Sequence, residues 1–124
     1  EPAAGAEASV TVPTGARWLL YGFRATLVTD ATAVIRQVHI VVDDGVNQLF
    51  DFPSQTTQAA TLTRRYSLQN VGFAPALADL EIGVAFNGPR PLFAGWRVRT
   101  VTTAIVVGDD WTAPQVQVQE WLEL

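Results

Sequence analysis

From Val10 onward the chain alternates apolar and polar residues with a period of two, and no window carries the 3.6-residue apolar period of an amphipathic helix. Val10 and Val12 flank Thr11 in a short strand ended by Pro13, and Pro13-Thr14-Gly15 turns the chain. The run from Arg17 to Thr29 is rich in aromatic and β-branched residues but too long for one flat strand, so Gly22 is expected to mark a bulge. Strands are also expected over Val34 to Val42, Asn47 to Phe52 (closed by Pro53-Ser54-Gln55), Ala59 to Gln69 and Leu80 to Phe86. Two more follow, from Trp96 to Val107 and from Gln115 to Leu124; Trp121 interrupts the Val116/Val118 phase, which predicts a second bulge near Glu120.

Turn chemistry separates these runs. Asp43-Asp44-Gly45 reads as a type I′ hairpin tip, because Asp-Gly tolerates the positive φ angles such a turn needs. Asn70 to Ala78 reads as a connection, Asn87-Gly88-Pro89-Arg90-Pro91 as a loop and Gly108-Asp109-Asp110 as a turn. Val12 to Trp18 and Leu92 to Val98 share one device, a glycine that launches a long strand. About eight strands separated by turns predict one all-β domain over residues 10–124, an antiparallel sandwich with a jelly roll favoured. An immunoglobulin-like sandwich fits less well, because its cysteine framework is missing. Residues 1–9, EPAAGAEAS, have no useful periodicity and read as a flexible or docking arm.

Composition narrows the function classes. Hydrophobic residues make up 48% of the 124 residues, enough to fill a core, while charged residues are only 16% against about 25% in an average domain. A surface so poor in charge is either rich in solvated Thr and Gln or partly covered by another protein. The net charge is −4 and all eight basic residues are Arg, scattered rather than clustered, which argues against nucleic acid as a partner. Without Cys there is no disulfide, thiolate ligand or cysteine nucleophile. No run reaches the roughly 18–20 apolar residues of a membrane helix, and no basic segment precedes an apolar one as in a signal peptide. The chain starts at Glu1 rather than Met, as a processed or trimmed chain would.

Each candidate for chemistry has a plainer reading beside it. His39 is the single histidine, set among Val38, Ile40 and Val41, with no partner evident for a triad or a zinc site. Asp43, Asp44 and Asn47, and the pair Asp109-Asp110, have the oxygen content of a calcium loop, yet hairpin and turn chemistry already accounts for them. Glu81 and Glu120 are the only glutamates placed on a strand amid aromatics, as a glycosidase pair would need, and the other candidate acids lie at turns. A cupin requires two or three histidines around its metal, and this chain has one. The expectation is therefore no catalytic residue, no metal and no cofactor. Arg64 and Arg65 point to opposite faces of their strand, whereas Arg97 and Arg99 share a face, where they pair with carboxylates of their own chain or of a neighbour. Trp18 and Trp96 read as core plugs. Trp111, just past a turn, is a candidate ligand contact if exposed and a core cap if not.

Val12 to Trp18, Ala25 to Thr32, Leu92 to Thr100 and Gly108 to Trp111, with the ending Val118-Gln119-Glu120-Trp121, resemble small virion proteins of tailed bacteriophages, and beyond these the jelly-roll decoration (cement) proteins of capsids. The resemblance runs over most of the chain beyond residue 10 and rests on turn-plus-strand patterns. It implies a non-enzymatic homotrimer on the capsid surface of a virion, bound to the major capsid protein or another virion protein, with no nucleic-acid or membrane partner. Glu1, Glu7 and Val10 of the arm, with Arg64, Arg97 and Arg99, would then be the interface residues, the arm lacing into an adjacent subunit. The alternative is a tail-fibre or receptor-binding knob that contacts host glycans through Trp111.

Overall fold

The computed structural model describes residues 1–70, 76–78 and 81–123. Among the described residues eleven strands are formed, in chain order β1 (Ser9–Thr11), β2 (Ala16–Val28), β3 (Arg36–Asp43), β4 (Gln48–Gln58), β5 (Thr63–Asn70), β6 (Ala76–Ala78), β7 (Glu81–Phe86), β8 (Arg90–Leu92), β9 (Arg97–Thr103), β10 (Asp110–Trp111) and β11 (Gln115–Leu122). They make the two-sheet all-β sandwich that the alternation predicts. One sheet has the order β1-β9-β3-β4; the other runs β10-β2-β5-β7-β6, with β11 and β8 also on β2. The surplus over the eight expected strands consists of short pieces, because β6, β8 and β10 have three residues or fewer. The pairing is antiparallel except between β5 and β7, which run parallel.

β2 organises the larger sheet. Over its first half the buried positions are Ala16, Trp18 and Leu20; over its second half they are Phe23, Ala25 and Leu27. The switch from even to odd occurs at Tyr21-Gly22, where Gln117 pairs with Gly22 but Val118 pairs with Leu20. One extra residue lets a 13-residue strand bend and still point an apolar row into the core. The Gly22 bulge is thus in place, but the one expected near Glu120 is not. β11 keeps a single phase, with Trp121 outward opposite Arg17 and Glu120 inward opposite Trp18.

The core lies between the sheets. Val38, Ile40 and Val42 of β3 and Val98 of β9 face Leu20, Phe23 and Leu27 of β2, Tyr66 of β5, and Ile82, Val84 and Phe86 of β7. Phe52 meets Phe86 edge to face at 5.4 Å. Full burial of each large side chain contributes about 1.5–3 kcal/mol.

Several local expectations are corrected. β4 continues through Pro53 to Gln58, which an edge strand permits because its outward N–H needs no partner. The strand begun at Trp96 stops at Thr103, and Ala104 turns the chain with φ 59°. At the β3–β4 tip Gly45 has φ 96° but Asp44 does not share the positive region, so the tip is not a type I′ turn. Asp43 Oδ1 accepts from Gly45 N, and Asp44 Oδ1 accepts from Val46 N and Asn47 N. Part of the connection expected over Asn70 to Ala78 is strand β6; residues 71–75, and Leu80 at the expected start of β7, lie outside the described residues.

Candidate functional site

Among the described residues the most enclosed ionic group ties the β2–β3 and β9–β10 loops to the start of β3 at one end of the sandwich. Arg36 is fully buried on the same face as Val38, Ile40 and Val42. Its Nε donates to Asp109 Oδ2 at 2.9 Å, and its Nη2 donates to Asp109 Oδ1 at 2.8 Å and Asp30 Oδ1 at 3.1 Å. Its Nη1 donates to the carbonyls of Thr32 at 3.1 Å and Val34 at 2.8 Å. All the guanidinium's donors are thereby used. Asp109, itself 0% exposed, also accepts from Asp30 N and Val106 N. Burial alone would raise its pKa; the Arg36 hydrogen bonds, then those backbone amides, outweigh burial and leave it lowered. A side chain at Gly108 would not fit, since its Cβ would run into the Asp30 carboxylate.

A second ionic group sits on the outer face of the smaller sheet. Asp43 takes Arg97 Nε and Nη2 at 2.8 and 3.0 Å and Arg99 Nε at 2.6 Å. Burial works against its charge, but the two guanidinium groups, then the Gly45 N–H, hold its carboxyl at about 2. The same bond raises the Arg97 pKa. His39 Nδ1 lies 2.8 Å from Asp51 Oδ1 on this face. Among the described residues no three His, Cys, Asp or Glu side chains are grouped to hold a metal. The backbone amides of Asn47 and Val46 lower the pKa of Asp44, as its turn role requires.

The arm is docked on its own chain, where the expectation had it lace into an adjacent subunit. Ala8 is buried in the core, Val10 packs against it, and β1 pairs with β9. Glu7 extends this edge, its carboxylate accepting from Thr100 Oγ1 at 2.8 Å, Thr102 N at 2.7 Å and Thr102 Oγ1 at 2.9 Å. Arg97 and Arg99 are likewise engaged within the chain, through Asp43. Arg64, expected at an interface, donates to Thr57 O at 2.7 Å. Trp111 is the clearest correction. It is 0% exposed, packs on Tyr66 and donates to Thr102 Oγ1 at 3.2 Å, so it caps the core and contacts no surface ligand. Burial pushes the Tyr66 hydroxyl up to about 12, and it donates to Gln58 Oε1.

What remains open lies on the outside. An open cleft of about 370 Å³ on the larger sheet is lined by Glu1, Arg24, Thr26, Arg65, Thr112 and Gln115. Its arginines are already bonded, Arg24 to Gln115 and Arg65 to Glu81. No family model, curated protein or solved structure matches the chain. At the two ends of the sandwich, apolar side chains stand in water: Val46 at the β3–β4 tip is 89% exposed, while Ile35 and Val107, in the loops around Arg36 and Asp109, are 59% and 83% exposed. Sequence reasoning missed these three residues, although each is an apolar side chain beside a turn.

Proposed function

We propose that this chain is a non-enzymatic virion structural protein of a tailed bacteriophage, a decoration protein that binds and stabilises the capsid surface. The reading is carried by the resemblance to virion proteins; Ile35 and Val107 at one end of the sandwich and Val46 at the other are exposed apolar side chains that contact with a partner would cover. Exposed apolar groups on a rigid frame gain by contact with a partner and lose little conformational entropy doing so. The low charge content supports the same reading. So does the self-saturation of the Arg36 and Asp43 groups, which gives their charged side chains a structural task. The partner is the major capsid protein, and many weak contacts on a symmetric lattice combine through avidity. The glycan-binding alternative has lost its platform, because Trp111 is enclosed. The test is to mix purified protein with undecorated heads and pellet the heads. Co-sedimentation at micromolar protein supports the reading, and protein left in the supernatant defeats it.

A further inference from the structure

Sheet edges are templates for another strand, and proteins blunt them by shortness, proline, bulges or charge. Most edges of this sandwich are blunted. β1 has three residues, and the adjoining Thr102 amide is capped by the Glu7 carboxylate. β4 contains Pro53 and two register shifts. β8 has three residues including Pro91, β6 has three and β10 has two.

β11 is the exception. It runs eight residues, Gln115–Leu122, without proline or a bulge of its own, and pairs on one side with β2. Among the described residues no strand pairs with its other side. Its one charged residue, Glu120, is exposed but lies on Trp18's side of the sheet, where Oε2 accepts from Trp18 Nε1 at 2.7 Å. Its outward row is Gln115, Gln117, Gln119 and Trp121, with no charge to repel an incoming strand. Beyond that row Leu122 is 76% exposed.

We propose that the free edge of β11 pairs antiparallel with β11 of a second copy of this chain, about a two-fold axis at Gln119, joining two seven-stranded sheets into one. The sequence of the strand selects this occupant and register. An isologous joint requires the strand to complement itself. Around Gln119 the outward pairs are Gln119 with its copy and Gln117 with Trp121; the inward pairs are Val118 with Glu120 and Val116 with Leu122. No like charges oppose each other, and exposed Leu122 gains an apolar partner. Centring the axis one residue earlier sets Pro114 opposite Leu122, whereas the Gln119 register spans 115–123 and leaves Pro114 out. This joint is independent of the decoration reading and differs from the trimer that the phage resemblance implies.

Sedimentation equilibrium of the full chain from micromolar to millimolar concentration reads the joint. The expected result is a reversible monomer–dimer equilibrium that the Gln119→Lys variant shifts to monomer by setting two ammonium groups face to face. Gln119 is exposed, so this variant keeps the wild-type circular dichroism and melting temperature. In a chain without cysteine, Gln119→Cys is expected to form an intermolecular disulfide on mild oxidation, and Gln55→Cys on β4 is not. A monomer throughout the range, a trimer, or a dimer that persists in Gln119→Lys overturns the proposal.

Discussion

Replacing Arg36 by Met is the most informative single perturbation of the fold. Methionine fills much of the same space but removes the cation and every donor. Asp109 stays fully buried with its negative charge uncompensated, and the carbonyls of Thr32 and Val34 lose their partner. Removing one member of a buried, hydrogen-bonded pair costs about 3–5 kcal/mol, because the surviving charge cannot be rehydrated in place. A domain of this size has about 5–15 kcal/mol of stability in total, so roughly a fifth or more is at stake. At roughly 3–5 °C per kcal/mol, the melting temperature falls by about 10–25 °C. Urea unfolding followed by tryptophan fluorescence, with thermal circular dichroism, measures both. A loss below about 1 kcal/mol would refute the reasoning, since that is the range of a solvent-exposed ion pair.

Other outcomes follow from the same contacts. Asp43 and Asp109 have lowered folded pKa values, so the unfolded chain binds more protons in acid and both groups lose stabilisation as pH falls; for Asp43 it is complete above about pH 4 and is lost as pH falls toward about 2. Asp43 contributes about 2 kcal/mol of this, and urea midpoints measured between pH 2 and 6 should rise with pH across that window. Gly108→Ala drives a methyl group into Asp30 and should cost about 1–3 kcal/mol by the same assay. Glu7→Gln places an N–H against donors on β9, should cost about 1–3 kcal/mol, and should speed hydrogen exchange at the Thr102 amide. Arg90→Met should stay within about 1 kcal/mol of wild type, because the lost stacking on Phe50 is offset by removal of a buried Nε that has no acceptor.

The larger sheet's central strand was readable because its signal is local. Trp18 and Leu20, then Phe23 and Leu27, announce both the inward row and its change of phase at Gly22. Arg36 lies in phase with Val38, Ile40 and Val42, and a charged residue on that face requires a buried acid. The acid that answers it, Asp109, is 73 residues away, and alternation says nothing about such a pairing. Glu7 was hidden for the same reason: its partners Thr100 and Thr102 lie across the sheet, while the flanking Ala and Gly look like a loose end. Trp111 was open to two readings because a two-residue strand is too short to show which face is inside. The parallel pairing of β5 with β7 depends on a crossover, and single-strand patterns do not encode direction.

The measurement that bears most directly on the decoration reading is a binding isotherm on undecorated heads, taken at low and high salt. The expected result is saturable co-sedimentation in a fixed ratio to the capsid subunit, weakened by Val46→Glu or Val107→Glu and little affected by salt, because apolar contacts are not screened. Protein that stays in the supernatant at micromolar concentration, or pelleting that never saturates and disappears in salt, would contradict it.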